Sequence, residues 1–193
     1  MRTVLSLALA ALPAAALAFD SVRIDDPAAL QGVRQVHVAE VALALPEPPA
    51  HRFALRSGEP RPVRPRDAKA RAEALTQALR RGLDDGFELV AAPGPGVLVV
   101  RPTLEGLASS RPTFADHQRQ PGLSSQSVYA GGASVRLQLE RDGRAVGELA
   151  DRYSSSLADG MPRVGIWQDA DRAFSRWSRQ LPEVLRQPTL AAR

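Results

Sequence analysis

Cysteine is absent from all 193 residues. That excludes disulfides and a lipidated cysteine, and it leaves the apolar core to hold the fold. Lysine is nearly absent too: Lys69 is the only one among 25 basic residues. Arginine's excess therefore reflects a coding bias more than a choice of planar, bidentate recognition, and composition argues weakly about ligands. Histidines number three (His37, His51, His117) and never form a closely spaced pair, so the sequence predicts no zinc site and no other metal or cofactor. After the first eighteen residues no apolar run is long enough to span a bilayer.

What is present begins with those eighteen residues. Arg2 supplies a positive charge, an apolar run follows over residues 4–17, and small residues stand at Ala16 and Ala18. This is the grammar of a secretory signal peptide, and it predicts cleavage after Ala18 and a periplasmic location with no transmembrane anchor after cleavage. The apolar run, roughly 14 residues, falls short of the roughly 20 that a spanning helix needs. The remainder, about 175 residues, suffices for one domain that buries roughly 70% of its unfolded surface.

The pattern predicts an α+β fold: one small domain, a mainly antiparallel sheet with two packed helices, in the order β-α-β-β-β-β-α. Residues 33–45 read as a strand. Val36 and Val38 share one parity and Val41, Leu43 and Leu45 the other, so either both faces are covered or a bulge near Ala39-Glu40 re-registers it. Prolines crowd residues 46–65, a long connection. Asp67 is the expected N-cap of a helix whose stripe is Ala68, Ala72, Leu75, Leu79 and Leu83. Strands are predicted at 87–90 and 97–107, separated by a Pro93-Gly94-Pro95-Gly96 turn, with Pro102 implying an edge or a bulge. A polar loop is expected over 108–128. Residues 133–140 alternate apolar and polar, Asp142-Gly143 is a two-residue turn, and 145–153 returns as the hairpin partner. Ile166, Ala170, Phe174, Trp177 and Leu181 mark a closing helix, and Pro182 forces a kinked continuation or a new first turn.

The phrases Val36-His37-Val38-Ala39-Glu40-Val41, Leu83-Asp84-Asp85-Gly86-Phe87-Glu88-Leu89-Val90 leading into Val97-Leu98-Val99-Val100-Arg101, and Trp167 to Trp177 with Ala173-Phe174 carry a resemblance. Together they resemble an exported, lipoprotein-like bacterial envelope family called domain of unknown function 3313. The resemblance implies a fold and an envelope location. The chain departs from lipoprotein members, because no cysteine stands at the cleavage site.

Net charge is only +4, but nine basic residues (Arg52, Arg56, Arg61, Arg64, Arg66, Lys69, Arg71, Arg80, Arg81) crowd one stretch against Glu59, Asp67 and Glu73. Such a stretch attracts another envelope protein or an anionic envelope component. Nucleic acid is disfavoured by export and by the lack of interleaved aromatics. The candidate binding residues are Arg61, Arg64, Arg66, Tyr129 and Trp167. No catalytic residue is assigned: no serine lies in a Gly-x-Ser-x-Gly elbow, Gly94 and Gly96 lack a phosphate-binding context, and no carboxylate pair stands out. The sequence therefore points to a non-enzymatic envelope interaction module. The alternative is a periplasmic hydrolase, which needs a carboxylate, His117 and a serine of the 109–127 loop to converge.

Overall fold

Asp142 and Gly143 both adopt positive φ, 51° and 75°, the left-handed pair that a tight type I′ turn demands and that Gly supplies without steric cost. The turn joins Gly132–Arg141 to Arg144–Ser154 in the predicted hairpin, with Leu137 facing Leu149. In a computed structural model, which describes residues 19–47, 61, 63–156, 158 and 164–187, this hairpin sits inside a seven-stranded mixed sheet. The predicted leader and the basic positions Arg52 and Arg56 lie outside the described residues.

In chain order the elements are β1 (Ser21–Ile24), α1 (Pro27–Leu30), β2 (Gln35–Val38), β3 (Ala42–Leu43), α2 (Pro65–Asp84), β4 (Glu88–Leu89), β5 (Leu98–Ala108), α3 (Phe114–Arg119), β6 (Gly132–Arg141), β7 (Arg144–Ser154) and α4 (Gln168–Arg186). The sheet runs β1-β7-β6-β5-β2-β4, with β3 also on β5. Pairings among β1, β7, β6 and β5 are antiparallel, and those of β2, β3 and β4 are parallel. The α+β class and the mostly antiparallel sheet match the sequence. Strand β1 and helices α1 and α3 are additions to the predicted order, and α3 lies within the expected 108–128 loop.

The parity switch has its cause in β5. Val38 pairs with Val100 and Ala42 with Thr103, so the 33–45 segment spends four residues where β5 spends three. The amides of Ala39 and Ala44 donate to the carbonyls of Val100 and Leu104, so even-numbered residues of β5 turn their polar groups toward β2 and β3. Pro102, on that side, has no N–H to offer, and the ladder breaks into β2 and β3 beside it. A bulge thus replaces the continuous strand. Pro102 itself is not at an edge, because β5 lies between β6 and β2.

Helix α2 starts three residues earlier than the expected N-cap Asp67 implied. Pro65 takes the first helical position, where a missing N–H costs nothing, Arg64 is the N-cap, and Asp67 binds the Arg64 guanidinium at 2.7 Å. Its predicted stripe is buried throughout. Helix α4 begins at Gln168, so Ile166 falls before it and is exposed, a correction to the predicted stripe, while Ala170, Phe174, Trp177 and Leu181 are buried. Both helices cover the face of the sheet that carries Val36, Val100, Leu137 and Leu149. Each of these buried side chains contributes about 1.5–3 kcal/mol. The opposite face carries cross-strand ion pairs, Arg136 with Glu105 and Glu148 and Arg101 with Glu140.

Pro182 continues α4 instead of ending it. It has no N–H to bond the carbonyl four residues back, that of Ser178. This carbonyl lies against Gly82 of α2, where a Cβ would stand 1.9 Å from the oxygen. Helix α4 is fastened to the sheet by Asp151 of β7, which accepts hydrogen bonds from the Trp177 indole and the Asp20 amide. Burial pushes the Asp151 carboxyl above its usual range, against the opposing influence of the Trp177 hydrogen bond and the Arg176 charge.

Gly82→Ala is expected to destabilise the protein by about 1–3 kcal/mol, since the helices must separate to admit the methyl group. Urea unfolding checks this. A midpoint unchanged from that of the parent would mean that α2 and α4 do not cross at Gly82.

Candidate interaction surface

Helices α2 and α4 run the same way: Arg71 near the start of α2 pairs with Asp171 near the start of α4 at 2.9 Å, and Gly82 meets Ser178 further along. Both N-termini therefore point to one end of the sheet, where β5 and β7 finish and β6 begins. Helix α3 follows β5 at this end, and it starts where it does because Thr113 and Asp116 form a capping box. The Thr113 hydroxyl accepts from the Asp116 amide, and the Asp116 carboxylate accepts from the Thr113 amide at 2.8 Å. The spacing Thr113-x-x-Asp116 was the signal available in the sequence.

The structure brings two of the predicted binding residues into contact. The Arg61 guanidinium lies over the Tyr129 ring, 3.4 Å from its centroid, and 3.9 Å from the Asp116 carboxylate. Such cation–π contacts contribute about 0.5–2 kcal/mol. Burial raises the Tyr129 phenol above its usual pKa, with Arg61 pulling it down and Asp116 adding to the rise. Arg64 lies over the Phe114 ring at 5.0 Å while bonding Asp67. Arg66 joins neither stack: it is exposed and reaches Asp67 at 3.8 Å. Trp167 is the N-cap residue of α4, half-buried and packed against the core, without a side-chain capping bond.

The missing cap comes from another segment. Ser110, after β5, accepts a hydrogen bond on Oγ from the Asp169 amide at 3.1 Å and donates one to the Asp169 carboxylate at 2.9 Å. Ser155, after β7, donates to the same carboxylate oxygen at 2.7 Å, and Arg172 holds the other at 2.8 Å. Asp169 is fully buried. A single carboxylate, at the positive end of a helix dipole, thus joins three chain segments. Gly131 closes the cluster, because a Cβ there would stand 2.5 Å from Ser110 Oγ and 3.0 Å from Asp169 Oδ2. Sequence reasoning missed Asp169. Its position four residues before Ala173 and eight before Trp177, on the buried stripe, was the available clue.

Around this cluster the chain exposes apolar side chains. Four of the five exposed large hydrophobics among the described residues (Phe114, Val128, Val164 and Ile166) belong to this end. Their segments are tied together: the Ser110 amide donates to the Ile166 carbonyl at 2.7 Å, Arg111 reaches the Val164 carbonyl and the Gln126 amide oxygen, and the Tyr129 amide donates to Ser110. The chemistry a hydrolase needs is not brought together there. His117 Nε2 is 3.5 Å from Ser125 Oγ in an exposed position, and the neighbouring Asp116 carboxylate caps α3. Among the described residues no group of three His, Asp or Glu side chains has the arrangement of a metal site, and no helix is long and apolar enough to cross a membrane.

The chain belongs to the family described as "Protein of unknown function (DUF3313)", which it matches over residues 22–181. No curated protein matches it. Among solved structures it is similar to PelC from Paraburkholderia phytofirmans, a dodecamer, in two crystal forms. The first has 12% identity over 86% of this chain and 98% of that one, with a TM-score of 0.43. The second has 14% identity over 83% and 97%, also at 0.43. It is similar as well to protein XCC0632 from Xanthomonas campestris, with 15% identity over 77% and 81% and a TM-score of 0.43.

Replacing Asp169 by Ala strands the Ser110 and Ser155 hydroxyls in the interior and removes the Arg172 partner. A loss of about 3 kcal/mol is expected from chemical denaturation. A loss no larger than that of an exposed substitution such as Asp171→Ala would show that the cluster does not hold this end together.

Proposed function

We propose that this chain is an exported, non-enzymatic interaction module of the cell envelope, and that it docks an acidic envelope partner through the end of the sheet described above. One observation carries the reading: exposed Phe114, Val128, Val164 and Ile166 share that end with Arg61, Arg64 and Arg66, and two of the guanidiniums lie over the rings of Tyr129 and Phe114. Apolar anchors ringed by arginine are the composition of a protein-binding surface. The acids of the same end are already engaged, Asp67 with Arg64, Asp116 in its cap and Asp169 in its cluster. Arg61, Arg64 and Arg66 outnumber the two acids they reach, Asp67 and Asp116, so the surface is net positive and its complement is an acidic partner with an apolar knob. The leader grammar of residues 1–18 supports a periplasmic location.

The test is cross-linking in intact envelopes of the producing cell, followed by purification and mass spectrometry of the parent, of Arg61→Glu/Arg64→Glu and of Phe114→Ser. The expected result is a stoichiometric acidic protein that both variants lose by about tenfold or more, equivalent to roughly 1.4 kcal/mol. Recovery of the protein alone, or of a partner that both variants retain, would overturn the proposal.

A further inference from the structure

At the opposite end of the molecule the helix C-termini leave a cleft of about 280 Å³ between the α1–β2 loop, the α2–β4 turn and the last turn of α4. Its floor is apolar: Leu30, Phe87 and Leu185 are buried there, with Val33 half-buried at the side. Its rim is Gln31, Gly32, Gly86 and Arg186, all exposed.

The walls are fixed by bonds that do not involve the cleft. Arg141 of β6 donates to the carbonyls of Ala29 and Gln31 from behind the loop. The amides of Gly86 and Phe87 both donate to the Leu83 carbonyl, and the Glu88 amide donates to Arg34. A cavity built between such anchored segments is formed before any ligand arrives.

Arg186 is the chemical feature of the rim. Its guanidinium lies 5.9 Å from the Phe87 ring centroid and against Gly86, where a Cβ would stand 2.3 Å from Nη2. Unlike Arg64, Arg71, Arg101, Arg136 and Arg172, it has no carboxylate partner among the described residues. A planar donor set without a carboxylate among the described residues, at the mouth of an apolar floor, matches one ligand class, a carboxylate carrying a short hydrocarbon chain. The volume is just below the usual range of ligand pockets, about 300–1,000 Å³, which favours a small molecule over a long acyl chain.

We propose that this cleft is a binding site for a short-chain carboxylate, with the carboxylate held by Arg186 and the chain lying on Leu30, Val33, Phe87 and Leu185. The site is independent of the docking surface at the other end.

The test is a titration of the isotopically labelled protein with hexanoate, followed by amide chemical shifts, with hexanol as the uncharged comparison. Saturable shifts at Gly32, Val33, Gly86 and Phe87 are expected with hexanoate, and about tenfold weaker binding in Arg186→Gln. Arginine in the last turn of α4 also complements the helix dipole, a role that alters melting temperature but not ligand affinity. Val33→Phe, which fills the cleft and keeps the charge, is expected to abolish the shifts as well. The proposal is overturned by scattered or non-saturating shifts, by hexanol binding as well as hexanoate, or by hexanoate affinity that survives either substitution.

Discussion

The placement of the two ends described above follows from two helices packed side by side, in the same direction, on one face of a sheet. The contact that permits it is small. Pro182 leaves the Ser178 carbonyl without its helical donor, and Gly82 leaves the space into which this carbonyl fits. Either residue alone would be a defect, Gly because it weakens a helix interior and Pro because it removes a bond. Together they let α2 and α4 approach at the backbone, so that Leu75, Leu79, Leu83, Trp177 and Leu181 share one core with the sheet.

Because the helices are parallel, their N-termini gather at one end and their C-termini at the other. The first end needs hydrogen-bond acceptors for unsatisfied amides, and finds them in borrowed groups: Ser110 caps α4 from the loop after β5, and Asp169 ties Ser110, Ser155 and Arg172 together. That polar interior fixes the loops that carry the exposed apolar residues and the stacked arginines. The second end holds carbonyl termini, a basic last turn at Arg186 and a cleft over apolar side chains. The two proposed sites, for a partner and for a small carboxylate, thus lie at opposite ends through a single packing choice.

Much of this was legible in the sequence, for physical reasons that can be named. The hairpin was clear because period-two alternation and Asp142-Gly143 agree. Helix α2 was clear because its stripe is regular. The parity switch in residues 33–45 was visible, but its cause was not, since Pro102 acts across a strand pair and not along the chain. Strand β1 was overlooked although Val22 and Ile24 alternate with Ser21 and Arg23, because four residues give too short a period. Helix α3 hid in a polar segment whose only cue was a capping box. At the candidate site, Arg61 and Tyr129 were both singled out, yet nothing local places them together, since they stand 68 positions apart in the chain. Asp169 was harder to read: its place on the apolar stripe was a clue to burial, but the partners that make burial tolerable, Ser110 and Ser155, are distant in the chain.

The central claim is that the polar cluster holds the end proposed for docking in order within the chain by itself. Native-state hydrogen exchange measures this most directly, on the amides of Ser110, Tyr129 and Ser155, which donate to Ile166, Ser110 and Gly131. The account predicts protection comparable to that of the β6–β7 ladder. Exchange of these three amides at the rate of an open chain, with the ladder still protected, would contradict it.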